Sequence, residues 1–197
     1  MVTVAVIGGG GWGKNHVRNF AEIQACRLKT VCDLNEKTLG LITETVQTII
    51  DAVNPTRTFY ALETMPWMYP DSAESYLGLI KAINRRQFGV HFDPANLICS
   101  PQRFFGSTAL MRDFFAKLGP HIRSCHGKDV IMSDKFIVHI DETCPGLGKL
   151  DYGVFLSELN KLDQDTPLML EHLKSAEEYS HAASHVRSVA SRMGIKI

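Results

Sequence analysis

The sequence predicts an α/β protein with about six strand-helix units and a parallel sheet. Three observations carry this. Short apolar, β-prone runs alternate with stretches of helical period, most of the runs are too short for helices, and they end at Gly, Pro, Asn or acidic residues. Strict alternation of this kind implies strands wound in parallel by right-handed crossovers. A length of 197 residues, 45% of them apolar, suits one large domain or two small ones with a real core.

In chain order, residues 2–7 form a β-branched run that flows into Gly8-Gly9-Gly10-Gly11-Trp12-Gly13 and then a helical segment over about 14–22. Residues 28–33 read as the next strand. Leu39, Ile42, Val46, Ile49, Ile50 and Val53 keep a helix period from Glu36 onward, and Asn54-Pro55 closes it. A strand over 58–63 follows. The loop 64–70 carries Trp67 and Tyr69, and Asp71 or Ser72 can cap a helix to about Arg86. Residues 88–92 are a short apolar strand stopped by Asp93-Pro94, a step that cannot continue a ladder. A long loop to about Gly106, a helix to Leu118 and a strand over 122–126 come next. The segment 136–140 reads as a short extra strand or hairpin. A glycine turn over 145–152 opens a helix to about Leu162, and the last strand (168–171) and last helix (175–192) complete the chain.

With 21 basic and 21 acidic residues the formal net charge is zero, so no basic stripe points to nucleic acid or an anionic membrane. Small molecules are the expected partner class. Five scattered cysteines without a CxxC pair indicate free thiols in a reducing compartment. The N-terminal run has no charged n-region, and no stretch approaches the roughly 20 apolar residues of a membrane span, so a cytoplasmic location is expected.

Four predicted strands end in Glu63, Asp93, His126 and Glu171. The carboxyl rim of a parallel sheet is where ligands bind in α/β proteins. If these strands are neighbours, three carboxylates and one imidazole share that rim. Such a set suits Mn²⁺ or Mg²⁺, with Zn²⁺ or Co²⁺ as alternatives, and the lack of thiolates argues against a structural zinc knot. Each residue alone has a plain reading as a helix cap or solvated side chain; four strand ends of ligand type together are hard to obtain by chance.

Gly8, Gly10 and Gly13 satisfy GxGxxG, and Asp33 follows 20 residues after Gly13. Such glycines let a backbone approach a pyrophosphate at a helix N-terminus, and the acid holds a ribose hydroxyl; the plain alternative is that the glycines only make the turn. The run from Gly8 to His16 resembles the opening of glucose-fructose oxidoreductase-type, NAD(P)-dependent dehydrogenases over about residues 2–38. No Lys-Pro step bearing that family's lysine follows.

Residues from about 43 to 197 resemble the C-terminal half of the sugar phosphate isomerase/epimerase family, the xylose isomerase-like TIM barrels. The matching pieces are Ala61-Leu-Glu63 with Pro66-Trp67, Gly89-Val-His-Phe-Asp93-Pro-Ala-Asn96, Cys125-His126-Gly-Lys128-Asp129, Pro145-Gly-Leu-Gly148 with Asp151-Tyr152, and Leu170-Glu171-His172. The resemblance implies that Glu63, Asp93, His126 and Glu171 hold one divalent metal on the barrel's last four strands. It also implies a small sugar or sugar phosphate as partner and proton transfer through an enediolate. Glu63 and Glu171, from the outermost of those strands, are the expected catalytic pair, one taking the proton and the other returning it. His91 is a candidate substrate contact or a satisfied core histidine. Asn96 stands where many epimerases of this family have His. Trp67 either stacks on a sugar face or packs as a lid. Lys128 either binds a phosphate or pairs with Asp129.

Two resemblances in one chain predict a chimera: a Rossmann-like βαβ fragment over 1–40 and half a (β/α) barrel over 41–197, together one domain. A complete barrel takes roughly 250 residues. The expected sheet is a partial or distorted barrel, with an open Rossmann or flavodoxin-like sheet as the alternative. Open parallel edges favour pairing with a second copy, so a homodimer is expected. The competing functional expectations are an NAD(P)-binding oxidoreductase-like module and a folded but inactive fusion.

Overall fold

A computed structural model of the chain describes residues 2–7, 26–32, 36–66 and 68–197, with side chains from residue 39 onward. The elements are β1 (Val2–Ile7), β2 (Cys26–Cys32), α1 (Glu36–Val53), β3 (Tyr60–Glu63), α2 (Ala73–Ile83), β4 (Phe88–Phe92) and α3 (Pro94–Leu97), followed by α4 (Pro101–Phe105), α5 (Ser107–Leu118), β5 (Ile122–Gly127), β6 (Asp129–Met132), β7 (Ile140–Thr143), α6 (Tyr152–Leu159), β8 (Leu168–Leu170) and α7 (Ala176–Arg192).

Four strands form one parallel sheet in the order β3-β4-β5-β8. Helices follow each strand, so all four carboxyl ends share one rim. This is the α/β architecture of a partial (β/α) barrel. The expectation of about six parallel strands in one sheet is corrected: β1 and β2 pair in parallel with each other, as a separate two-stranded sheet. β6 and β7 form an antiparallel hairpin, with Asp129 opposite Thr143 and Met132 opposite Ile140. The sequence signalled its returning arm only as an excursion over 136–140.

Strand β4 is central, and all five of its residues are buried. Its alternation sends Phe88, Val90 and Phe92 to one face and Gly89 and His91 to the other. Phe92 stacks on Phe114 of α5 with ring centroids 4.1 Å apart, and meets Phe115 and Phe155 edge-on. Tyr76, Met111, Leu118, Ile122 and Leu156 complete that core. Gly89 has a local reason: a Cβ there would lie 2.3 Å from Cγ of Arg123, whose guanidinium sits 4.4 Å from the Phe59 ring centroid.

Capping chemistry sets the helix ends. Ser72, rather than Asp71, caps α2 in a reciprocal box with Ser75, and Asn84 ends it in the left-handed conformation, two residues before Arg86. The expected loop over 93–106 contains α3 and α4, each opened by an acceptor-Pro step, Asp93-Pro94 and Ser100-Pro101. Asp151 caps α6, which ends at Leu159 rather than Leu162, and Ser175 caps α7. Cys99, Cys125 and Cys144 are free thiols. No helix among the described residues is long and apolar enough to cross a membrane.

Candidate metal centre

Threonine 64, just past β3, ties the first two strand ends together. Its fully buried Oγ1 accepts from the Asp93 N–H at 2.7 Å and donates to the Asp93 carbonyl at 2.8 Å. Asp93 is therefore held by its own backbone at the end of β4. Its two carboxylate oxygens have separate tasks. Oδ1 caps α3, accepting from the N–H groups of Ala95 and Asn96 at 2.9 and 3.2 Å. Oδ2 faces the Lys128 ammonium at 3.0 Å and His126 Nδ1 at 3.6 Å.

Around the His126 Nδ1 atom stand Glu63 Oε1 at 3.1 Å, Glu171 Oε2 at 3.1 Å and Asp93 Oδ2 at 3.6 Å. One ligand atom from each of Glu63, Asp93, His126 and Glu171 lies within 4.8 Å of every other. The four sequence-predicted residues thus come together, one from the end of each strand of the sheet. Asn96 joins them, donating from Nδ2 to Glu63 Oε1 at 3.1 Å and to the Thr64 carbonyl at 3.0 Å. It buttresses Glu63 rather than standing apart as a free hydrogen-bonding arm.

Lys128 lies at the heart of the cluster, its side chain only 3% exposed. The ammonium is 3.0 Å from Asp93 Oδ2, 2.8 Å from Glu171 Oε2 and 3.3 Å from Glu142 Oε1. The expected pairing with Asp129 is corrected. Asp129 accepts instead from four backbone N–H groups, of Val130, Gly146, Gly148 and Leu150, at 2.8 to 3.1 Å. Gly148 has to be glycine for this, because a Cβ would lie 2.3 Å from Asp129 Oδ1. Glu142 was absent from the sequence reading; it sits on the hairpin strand β7 and bridges Lys128 and His172, accepting from Nδ1 of the latter at 2.9 Å. The backbone of His172 is left-handed, φ 60°, which turns the chain immediately after Glu171. A polar cavity of about 160 Å³ opens against Lys128, Glu142, Glu171 and His172.

His91 faces the same side of β4 as Asp93 and packs edge-on against His126, ring centroids 4.0 Å apart. Its Nδ1 is 2.5 Å from Ser124 Oγ. Gly8, Gly10, Gly13, Asp33 and Trp67 lie outside the described residues.

The electrostatics are unbalanced. Asp93, Glu171 and Glu142 share a single lysine, and Glu63 faces His126. Burial pushes the Asp93 carboxyl up, and Lys128 and the Asn96 N–H only partly reverse this. Lys128 itself is held well above the usual lysine value: burial works against its charge, but the hydrogen bond to Glu171 and the charge of Asp93 outweigh it. Glu171 is pushed up by burial yet pulled lower overall by Lys128. Burial and the neighbouring His126 lower the His91 pKa, and the charges of Glu63 and Glu171 partly oppose this. His91 Nε2 is a buried atom with no hydrogen-bond partner, while Asp93 Oδ2 and Glu171 Oε2 are buried atoms whose neighbours are the Lys128 ammonium, at 3.0 and 2.8 Å, and His126. Three carboxylates from adjacent strand ends, one of them fully buried, and a facing imidazole fit a divalent cation by the chemistry of the donor set.

Fold and rim together define an α/β-barrel type of protein with its polar centre at the strand ends. Residues 19–189 match the family model of the xylose isomerase-like TIM barrel, and the chain belongs to that family. Among solved structures it resembles a xylose isomerase domain protein from Planctomyces limnophilus, with 21% identity, a TM-score of 0.61, and coverage of 79% of this chain and 53% of that one. A xylose isomerase-like TIM barrel protein from Mycobacterium smegmatis in complex with magnesium shares 17% identity at a TM-score of 0.60, with 79% and 53% covered. A D-tagatose 3-epimerase-like protein shares 18% at 0.61, with 79% and 55% covered. The chain spans about half the length of these structures. No curated protein matches it.

The family match spans residues 19–189, a range that includes the supposed junction near residue 40 and β2, and it lends no support to the chimera expectation. The comparisons give no support to the dehydrogenase resemblance or to an NAD(P) cofactor. Both folds begin with a parallel strand-turn-helix-strand unit, so a glycine-rich first turn does not separate them.

Proposed function

We propose that the chain is a divalent-metal-dependent sugar or sugar phosphate isomerase or epimerase. The convergence of Glu63, Asp93, His126 and Glu171 from four adjacent strand ends carries this reading. Those four residues would hold the ion, with Mn²⁺ or Mg²⁺ preferred by an oxygen-rich set. A bound divalent cation supplies Lewis acidity, which polarises a carbonyl and eases removal of the proton α to it.

The remaining work belongs to the chain's own side chains. Glu63 ends β3 and Glu171 follows β8, the two outer strands of the sheet, so their carboxylates approach a ligand between them from opposite sides. One removes the proton and the other delivers it, which inverts the carbon. Asn96 fixes the direction of the Glu63 carboxylate through its Nδ2. Lys128, reaching the polar cavity, offers a fixed positive charge to a ligand's oxygens. Among the described residues the outer edges of β3 and β8 carry no further strand, and pairing of two copies there is part of the proposal; a monomer by light scattering would remove it.

Calorimetric titration with Mn²⁺ tests the centre. Binding by the wild type and its loss in Glu171→Gln are expected, whereas unaltered binding in that variant would overturn the ligand assignment. Incubation with ketohexoses in deuterated water, read by NMR, tests the reaction: deuterium at the carbon next to the carbonyl is expected, and its absence with metal bound would reject proton transfer.

A further inference from the structure

We propose that His91 makes the centre a two-position cation site. An oxygen-rich position is bounded by Glu63, Asp93, His126 and Glu171, and an overlapping nitrogen-rich position by Glu63, His91 and His126. The second position takes nitrogen-preferring first-row ions such as Co²⁺ and Zn²⁺. The inference rests on the metal-centre reading above and refines which ions that centre selects.

Strand geometry places His91. It lies two residues before Asp93, hence on the same face of β4. The register pairs it with Glu63 on β3 and with Ser124 on β5, two residues before His126. It therefore lies one layer deeper in the sheet than Asp93, between the two residues common to both positions. Ligand atoms of Glu63, His91 and His126 lie within 4.8 Å of one another.

The state of the ring matches a ligand. His91 is 9% exposed, its Nδ1 is taken by Ser124 Oγ, and its Nε2 is buried with no partner. An imidazole fixed through one nitrogen and open at the other is the usual arrangement of a metal-bound histidine. A buried ring nitrogen left bare is otherwise costly.

Lys128 separates the two positions. Its ammonium stands beside Asp93 and Glu171, both members of the oxygen-rich set, and beside Glu142. A cation at the second position exchanges two carboxylates that Lys128 contacts, Asp93 and Glu171, for the imidazole of His91. Imidazole suits Co²⁺ and Zn²⁺, while Mg²⁺ and Mn²⁺ favour carboxylate and water.

The test is calorimetric titration of the full chain with Mn²⁺ and with Co²⁺, in the wild type and in His91→Asn. Expected is a loss in Co²⁺ affinity of about tenfold or more, with Mn²⁺ affinity changed by less than about threefold. The visible d–d bands of bound Co²⁺ should shift in the variant as a nitrogen donor is lost. Equal weakening of both ions, no change for either, or an unshifted Co²⁺ spectrum would overturn the proposal. Failure of the wild type to bind any divalent ion is a different result and sinks the centre itself. Should His91→Asn not fold, as judged by circular dichroism, Ser124→Ala leaves the ring in place but frees its Nδ1. Weaker Co²⁺ with unchanged Mn²⁺ binding in that variant supports the inference, and unchanged binding of both counts against it.

Discussion

Asp93 and Asp129 are both almost completely buried, at 0% and 1% exposure, and both stand at the ends of the sheet, yet they do opposite things. Every direction in which Asp129 accepts is taken up by backbone N–H groups that fold the loop before α6 around it. Asp93 spends one oxygen on the cap of α3 and turns the other toward Lys128 and His126, in a cluster with more carboxylates than ammonium groups. Burial alone therefore does not mark a functional acid. What marks it is a buried acceptor aimed at other titratable side chains rather than consumed by backbone donors.

The largest effect that would sharpen this contrast is structural. Asp129→Ala strips the acceptor from several buried N–H groups and should cost at least about 3 kcal/mol, measured by urea denaturation. Near-normal stability would show that the loop finds other acceptors. Asp93→Asn should behave in the reverse way. The amide oxygen still caps α3, so the fold should persist, while Mn²⁺ affinity should fall by more than about 100-fold, beyond what outer partners of a metal site cost. A variant that keeps Mn²⁺ would erase the distinction drawn between the two acids.

A smaller change lies between them. Thr64→Val removes the hydroxyl that clamps both backbone groups of Asp93, and a loss of about 1–3 kcal/mol should accompany weaker Mn²⁺ binding. Loss of stability with binding intact would mean that Asp93 is positioned by its cap alone.

The smallest effect concerns an exposed acid. Asp51 makes a two-pronged pair with Arg85, both contacts at 2.7 Å, and this hydrogen-bonded pairing lowers its carboxyl below the ordinary 3.8. A depressed folded-state pKa contributes stability above the unfolded value, and that contribution is lost as pH falls through the folded one. Asp51→Asn should thus melt slightly lower than wild type at neutral pH, with the gap closing well below pH 3.8. A gap that persists in acid would assign the effect to something other than the ion pair.

Much of the fold was legible because it is encoded locally. The period of Leu39, Ile42, Val46 and Ile50 announced α1, and the apolar run ending at Asp93-Pro94 announced β4. The four rim residues were legible too, since each sits where a β-prone run stops. Other features were not. Glu142 reaches Lys128 only because β7 folds back on β6, and hairpin closure depends on contacts remote in sequence. Lys128 and Asp129 are neighbours where β5 gives way to β6, but four backbone N–H groups take up Asp129 while Lys128 turns to Asp93 and Glu171, so the pairing suggested by their charges does not occur. The first glycine run does not discriminate between folds for a physical reason as well: a parallel strand-helix-strand opening is common to barrels and nucleotide-binding sheets.

Local period and turn chemistry act over a few residues, so they encode the alternation of strands and helices, and thereby the parallel sheet and the four polar residues at its carboxyl ends. The folded arrangement is what sets β1 and β2 apart from that sheet, fills Asp129 with backbone donors while turning Asp93 toward Lys128 and His126, and leaves a bare nitrogen on His91. Those outcomes depend on which donors reach which acceptors in three dimensions. Hydrogen-bond satisfaction is a property of the assembled neighbourhood, so no single stretch of chain can encode it.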